Sequence, residues 1–473
     1  MLDPARLHHA YDLRGRVGID ISADDFLRLG RAIARRVRNK GGRSLVVAFD
    51  GRLSSPGLAQ ALIAGMRAGG VDVQEIGLAP SPLAYFAERA LAADGAAIIT
   101  ASHNPADWNG LKLILGGEIV YGESFAAIVQ EARGDRPDDV LPGRHSRPDP
   151  IPAYLDHLGA GRPLPRPLRV GLDAMHGAAG PLALRLLKGL GAQVVPLRYA
   201  VDGSFPLGAP DPSREENLAG LARTVVEQSL DLGLALDGDG DRLVVMDGRG
   251  EVIAPDRLLV LFAREALRTH PGGVVLMDVK CSQATRRAIE AAGGTVEIVP
   301  SGHAHMRAAM NKHGALLGGE LSGHLFFADN GYDDGLDAAV RLLRLFAEHP
   351  ESPTALLDTL PQAHATPELL IPRPSDLDLP ALLETLAQHL PLPGERLLRI
   401  DGLRLESPEG FILVRASNTQ PLLTLRIEGE DEAALARLKS HLSQAWPDSA
   451  PRLPYENSAK PHPWGFADRL TAK

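Results

Sequence analysis

Leu232-Gly-Leu-Ala-Leu236 is a short, wholly apolar run that stops abruptly at Asp237-Gly-Asp-Gly-Asp-Arg242. A run of this length reads as a strand buried on both faces, the kind found in parallel sheets. The same unit recurs along the chain. Ser44-Leu-Val-Val-Ala-Phe49 ends at Asp50, Ala96-Ala-Ile-Ile-Thr100 opens into Ser102-His-Asn-Pro105, Leu168-Arg-Val-Gly-Leu172 ends at Asp173, and Gly273-Val-Val-Leu-Met277 ends at Asp278. Helical spacings lie between such runs, as at Phe26, Leu29, Ile33 and Val37. Strand, loop, helix and strand again predicts α/β layers with largely parallel sheets. The polar clusters follow the apolar runs, which places them at the carboxyl ends of strands, where such sheets bind ligands.

Prolines mark the joints. Pro142, Pro148, Pro150 and Pro152 crowd one stretch, Pro163, Pro165 and Pro167 another, and a third lies between Pro350 and Pro374. Boundaries near 148, 253 and 366 give α/β domains over residues 1–148, 149–253 and 254–366. Residues 367–473 read as a C-terminal α+β domain, with strands at 411–414 and 422–427, a helix at 432–446 and a tail from 451. The similar size and pattern of the first three domains suggests related folds.

With 50 basic and 59 acidic residues the net charge is −9, which argues against a general nucleic-acid binder and leaves room for a local basic pocket. A hydrophobic content of 44% excludes disorder as the main state. The single cysteine, Cys281, excludes an intrachain disulfide and argues against a Cys-based zinc site, which fits a reducing compartment. No apolar run approaches the roughly 18 residues of a spanning helix. The first ten residues carry Asp3, His8 and His9 without an apolar core, unlike a secretory signal. The expectation is a soluble, cytoplasmic protein with no membrane partner. Its oligomeric state is not set by the sequence, and a monomer is compatible with it.

Asp237, Asp239 and Asp241 put three carboxylates at i, i+2 and i+4 behind a strand. Like charges this close resist ionising together, and a divalent cation relieves that cost. Oxygen-only ligands favour Mg2+ or Ca2+, and the intervening glycines let the backbone turn tightly. A calcium EF-hand is excluded, because Arg242 and Gly248 stand where it needs Gly and Glu. A bare acidic turn, or the Asp-x-Asp nucleophile of haloacid-dehalogenase-like phosphatases, are the competing readings.

Ser102 has His103 beside it and Lys112 ten residues on. A lone serine is a poor nucleophile and needs a base, or a phosphate to carry. Asn104-Pro105 also suits a plain turn, and no Gly-x-Ser-x-Gly elbow supports an esterase. In Gly318-Gly-Glu-Leu-Ser-Gly-His324 the side chains of Glu320, Ser322 and His324 would face one way if extended, suited to vicinal sugar hydroxyls. A solvated glycine-rich loop is the alternative. Arg415-Ala-Ser-Asn-Thr419 lies between two strand-like runs, with Arg426 beyond, and offers a phosphate cradle or a solvated turn. No Gly-Lys-Ser/Thr and no His-Glu-x-x-His occurs, which excludes a P-loop and a zincin.

In this order, the motifs resemble the α-D-phosphohexomutase superfamily, most closely its bacterial phosphomannomutase/phosphoglucomutase branch, from Tyr11-Asp-Leu-Arg-Gly15 to about Glu428. The resemblance implies three related α/β domains and a C-terminal domain of another fold round a central cleft. It implies reversible interconversion of hexose 1-phosphate and hexose 6-phosphate, of mannose and also glucose, through a phosphoserine enzyme and a hexose 1,6-bisphosphate. Ser102 is implied as the phosphorylated serine, and Asp237, Asp239 and Asp241, with a phosphoserine oxygen, as ligands of one Mg2+ per chain. His103 and Lys112, flanking Ser102 in the same loop, would aid proton transfer and phosphate stabilisation, and Arg14 and Arg242 would neutralise charge. Tyr11, Lys280, His303, Glu320, Ser322 and His324 are implied as substrate contacts. Arg415, Ser417, Asn418, Thr419 and Arg426 would clamp the non-transferring phosphate. The bisphosphate must turn round between transfers, so the clamp must accept either orientation, which suits a mobile terminal domain.

Some positions depart from the family's pattern. Leu13 stands for Ile, and Met175-His176 replaces a more usual Gly-Asn before Gly177, a change expected away from the chemistry. Gln420 stands where Glu or Thr is common. The usual His after Phe205-Pro206 is absent at Leu207-Gly208-Ala209, and Asp329-Asn330 shortens an aromatic-rich segment, both of which bear on sugar specificity. Phosphoglucosamine mutase is the nearest alternative within the superfamily, but that branch typically has Gln between Glu and Ser where Leu321 stands, so Glu320-Leu-Ser322 resembles the hexose enzymes. An aspartyl phosphatase with Asp237 as nucleophile, and a non-catalytic sugar-phosphate sensor, are further ones. Cys281 reads as a small buried hydrophobe and Trp108 as a loop anchor.

Overall fold

Phe26, Leu29, Ile33 and Val37 all point into the core from the helix Ala23–Asn39 of the computed structural model. Ser22 caps that helix, its hydroxyl accepting from the Asp25 N–H at 3.3 Å. The helix packs on Ser55–Ala68 almost backbone to backbone. A Cβ on Gly65 would lie 2.0 Å from the Leu27 carbonyl oxygen, and one on Gly30 would lie 2.3 Å from that of Leu62. Only glycine permits that approach.

The structure describes residues 12–134, 136, 139–390, 396–417, 422–447 and 450–454. They gather into two units. One runs to Gly250 and includes Ser322–Phe326 and Tyr332–Leu356; the other holds Glu251–Leu321, Phe327–Gly331 and the described residues from Leu357 on.

In the first unit one sheet runs in the order Leu13–Arg16, Trp108–Leu115, Gly95–Ile99, Ser44–Phe49, Asp72–Leu78 and His145–Ser146. Its central strands are parallel, while Trp108–Leu115 returns antiparallel beside Gly95–Ile99. That return places Lys112 on a strand, opposite Ile98, and not in the serine loop where the sequence reading put it. The cause is the turn after Ser102, which reverses the chain and brings Lys112 back level with the strand that precedes it. A second sheet orders Leu243–Asp247, Leu232–Leu236, Arg169–Asp173 and Gln193–Leu197, parallel except for Leu243–Asp247. The helix Gly335–Glu348 belongs to this unit, with Asp334 as its N-cap.

In the second unit Val274–Asp278 pairs parallel with Thr295–Val299 on one side and Leu317–Gly319 on the other. The C-terminal sheet is antiparallel, built from His364–Ala365, Leu369–Pro372, Arg396–Leu398, Leu403–Ser407, Gly410–Ala416 and Leu422–Gly429. Helices Leu379–His389 and Glu432–Ala445 pack on it through Leu382, Leu386, Leu438 and Leu442. The architecture is therefore α/β with a C-terminal α+β portion, as the alternation of runs implied.

Met175 and His176 both take left-handed backbone, φ 49° and 61°. Gly and Asn suit that region far better, so this departure from the family's pattern is a strained one. It is also closer to the site than the sequence suggested. The Ala178 N–H donates to the Gly238 carbonyl at 2.9 Å, and a Cβ on Gly177 would lie 2.7 Å from the same oxygen.

Candidate active site

The strand Gly95–Ile99 is buried throughout and delivers the chain to Ser102, which sits at φ 47°. A non-glycine residue held there is over-determined by its surroundings. Thr100 Oγ1 accepts from the Ser102 N–H at 2.8 Å and donates to Asp50 Oδ2 at 2.8 Å. Arg52, wholly buried, donates to the carbonyls of Ser102 (2.7 Å), Asn104 (2.8 Å), Pro105 (2.5 Å) and Trp108 (3.1 Å). Asp50 holds the Arg52 Nε at 3.0 Å, and the guanidinium lies 5.1 Å from the Phe205 ring centre. One planar fork thus fixes the whole serine turn. Arg52→Ala should cost about 3 kcal/mol by urea unfolding, with little recovered by Arg52→Lys, because one ammonium cannot span four carbonyls.

The Ser102 hydroxyl donates to Asp237 Oδ2 at 2.6 Å and lies 3.2 Å from His103 Nδ1. Gly238 carries no side chain because the Ser102 carbonyl oxygen lies 2.4 Å from where its Cβ would stand. Arg14, itself paired with Asp12 at 2.9 Å, donates to Asn104 Oδ1 at 2.5 Å and the Ala101 carbonyl at 3.3 Å. Burial, then Arg242 and Arg14, hold the His103 imidazole well below its ordinary pKa, so it is neutral at physiological pH.

Asp237, Asp239 and Asp241 are fully buried, with one ligand oxygen from each lying within 4.8 Å of the others. Lys112 Nζ reaches Asp239 Oδ2 at 2.7 Å and Asp241 Oδ2 at 2.5 Å, and Ser81 Oγ donates to Asp239 Oδ2 at 2.6 Å. Asp239 Oδ1 and Asp241 Oδ1 are buried with no hydrogen-bond partner. Orphaned carboxylate oxygens on a hard, oxygen-only set fit a divalent cation. The charges divide unevenly. Burial, then Asp241 and Asp239, push Asp237 up to about 8. Burial and Asp241 also push Asp239 up, but the Lys112 ammonium outweighs them and holds it below its ordinary value. Lys112 again prevails over burial at Asp241.

His324 joins this group, with its side chain against Arg242 and Asp333. The chain from 320 to 324 is a turn with Gly323 at φ 98°, so the extended arrangement expected from alternate spacing does not form. Arg242 Nε donates to His324 Nε2 at 2.9 Å, and His324 Nδ1 meets Asp333 Oδ2 at 2.7 Å. An arginine nitrogen can only donate, so Nε2 carries the lone pair and Nδ1 the proton. Ser322 lies in the same unit as His324, and Glu320 in the other.

In the second unit Asp278, at the end of its strand, accepts from Ser301 Oγ at 2.6 Å and the Leu321 N–H at 3.3 Å. Glu320 Oε1 accepts from the Gly302 N–H at 3.2 Å, beside His303, which starts the helix His303–His313. Lys280 Nζ pairs with Glu368 at 3.3 Å. Arg415 pairs with Asp401 at 2.7 Å, and Arg426 lies 3.9 Å from Glu428. Ser417 follows the strand Gly410–Ala416 that holds Arg415. Tyr11, Asn418, Thr419 and Gln420 lie outside the described residues. Cys281 is buried with its Sγ donating to Asp278 at 2.9 Å, and burial pushes its thiol pKa well up.

Arg52, Ser81 and Asp333 were not found from sequence. Each reaches the site from a distant segment, and none carries a local pattern, although Asp50-Gly51 at a strand end marked the neighbourhood of Arg52. Together the first unit offers a buried hydroxyl against a carboxylate, a cation-ready triad and three cations, Lys112, Arg14 and Arg242. That set suits transfer of a phosphoryl group.

Four domain families match the chain in order. They are described as phosphoglucomutase/phosphomannomutase alpha/beta/alpha domain I (residues 5–136), domain II (152–250) and domain III (254–364), and the C-terminal domain (374–445). A phosphoglucomutase of Neisseria gonorrhoeae is 40% identical over 449 residues, 94% of this chain and 97% of that protein. A phosphomannomutase/phosphoglucomutase of Pseudomonas aeruginosa is 37% identical over 440 residues, 92% of this chain and 94% of that protein. The crystal structure of a phosphoglucomutase/phosphomannomutase family protein from Burkholderia thailandensis superposes with a TM-score of 0.89 at 38% identity, covering 96% of this chain and 100% of that one.

Proposed function

The chain belongs to the phosphoglucomutase/phosphomannomutase family, and on that premise we propose that it interconverts hexose 1-phosphate and hexose 6-phosphate by way of Ser102. It is a phosphohexomutase, an intramolecular phosphotransferase. The observation that carries the role of Ser102 is its hydroxyl, 2.6 Å from Asp237 among buried cations.

The P–Oγ bond of phosphorylated Ser102 breaks as its phosphoryl group passes to the free hydroxyl of the bound sugar; that hydroxyl loses its proton while the serine oxygen regains one, and hexose 1,6-bisphosphate forms. That intermediate turns round, its other phosphoryl returns to Ser102, and the isomeric monophosphate departs. Lys112, Arg14 and Arg242 spread the charge of the moving group, and neutral His103 contacts the serine oxygen without adding charge. Asp237, Asp239 and Asp241 would hold one Mg2+, which would supply further neutralisation of the phosphoryl charge. Glu320, Ser322, Lys280 and His303 would contact the sugar, and Arg415, Ser417 and Arg426 the resting phosphate. The boundaries at 148, 253 and 366 belong to this reading, as does a cytoplasmic location. Among the described residues no helix is long and apolar enough to cross a membrane.

Phosphorus NMR tests it. With Mg2+ and a trace of hexose 1,6-bisphosphate, the protein should convert α-mannose 1-phosphate and α-glucose 1-phosphate to the 6-phosphates without releasing free phosphate. Faster turnover of glucosamine 1-phosphate would favour the glucosamine branch, and free phosphate as the product would favour a phosphatase.

A further inference from the structure

Asp401-Gly402 belongs to none of the sequence motifs, yet it sits against the residue expected to clamp the resting phosphate. Asp401 Oδ2 lies 2.7 Å from Arg415 Nη2 and accepts from the Ser301 N–H at 3.2 Å. Its backbone is left-handed, φ 52°, and Gly402 follows at φ 103°. A Cβ on Gly402 would lie 2.5 Å from the Val414 carbonyl oxygen and 2.6 Å from Arg415 Cβ. The turn is thus pressed onto the strand that carries Arg415. A non-glycine residue keeps an unfavourable backbone only where its surroundings require it, and here the bend aims the carboxylate at the guanidinium. Arg415 is only 5% exposed, so its charge needs a fixed partner.

We propose that Asp401 is the positioning residue of the phosphate clamp. Its carboxylate fixes the Arg415 guanidinium and ties it to the Ser301 turn that precedes His303, so both elements meet a phosphate monoester already ordered. This rests on the reading of Arg415 as a phosphate ligand. A guanidinium is a planar fork with five N–H donors on three nitrogens, so an ion pair to Asp401 at Nη2 is compatible with contact to a phosphate oxygen. Ordering the arginine beforehand removes that cost from binding.

The test is Asp401→Asn. Asparagine tolerates the left-handed backbone and keeps an oxygen for the Ser301 N–H, so the variant removes the charge and little else. With α-glucose 1-phosphate, KM should rise about tenfold while kcat stays within about threefold, because the chemistry is at Ser102. Competitive inhibition by inorganic phosphate should weaken by a similar factor. Arg415→Ala combined with Asp401→Asn should behave as Arg415→Ala alone, since the carboxylate acts through the guanidinium. An unchanged or lowered KM in Asp401→Asn, or effects that add in full, would overturn the inference while leaving the mutase reading intact. Absence of turnover by the wild type would sink the mutase reading and this inference with it.

Discussion

Ser102→Ala should abolish isomerisation of α-mannose 1-phosphate and α-glucose 1-phosphate, by about 10⁴-fold or more, with the fold unchanged. The phosphoryl group must rest on Ser102 between transfers, and alanine has no atom to carry it. The turn itself does not depend on the hydroxyl. Its backbone is fixed by Arg52 through four carbonyls and by Thr100 through the Ser102 N–H, and none of these bonds is lost. Alanine meets about the same left-handed strain as serine. The thermal midpoint should therefore move by only a few degrees, the effect of one lost hydrogen bond to Asp237. Phosphorus NMR of the variant beside the wild type checks it. The competing aspartyl phosphatase makes the opposite prediction, since Asp237 would act without Ser102. Free phosphate from the variant at the wild-type rate would move the chemistry to Asp237.

Much of this site was legible because its parts are local. An apolar strand ending in Asp237-Gly-Asp-Gly-Asp241 announces both the element and the ligands in one stretch, and Gly95–Ile99 running into Ser102 does the same. What stayed hidden is contributed from far away. Arg52 lies fifty residues before the carbonyls it holds, Ser81 caps Asp239 from another strand–helix joint, and Asp333 belongs to a segment far along the chain from Asp241, with which it shares His324. No spacing rule predicts which polar side chain a buried carbonyl will meet. Positive φ was hidden too. Alternate spacing at Glu320, Ser322 and His324 suggested one face, but Gly323 turns the chain and sends His324 to Arg242. At Met175-His176 the sequence showed an unusual pair, and only the backbone shows why Gly-Asn is the easier choice there.

Removing the divalent cation should be second only to removing the serine in its damage, and its effect on stability should depend on pH. Lys112 satisfies one oxygen each of Asp239 and Asp241 and holds both acids low, but it does not reach Asp237. Burial and the two neighbouring carboxylates instead push Asp237 up to about 8, against an ordinary value of 3.8. In the cation-free protein Asp237 therefore keeps a proton that the unfolded chain gives up. The stability linked to that proton is complete below the ordinary carboxylate range and is lost as pH rises towards about 8. A cation competes with the proton for the same oxygens, so its affinity climbs over that window. The chelated protein should melt several degrees lower at about pH 8 than at about pH 5, and Mg2+ should restore most at the upper end. Asp237→Asn should flatten both trends, because the amide neither titrates nor binds the ion as an anion. Mutase activity should fall about 10³-fold or more on chelation and return with Mg2+. A chelated protein whose midpoint is flat from about pH 5 to 8 would remove Asp237 as the proton-holding member of the triad. Activity that survives chelation would mean that Lys112, Arg14 and Arg242 carry the phosphoryl charge unaided.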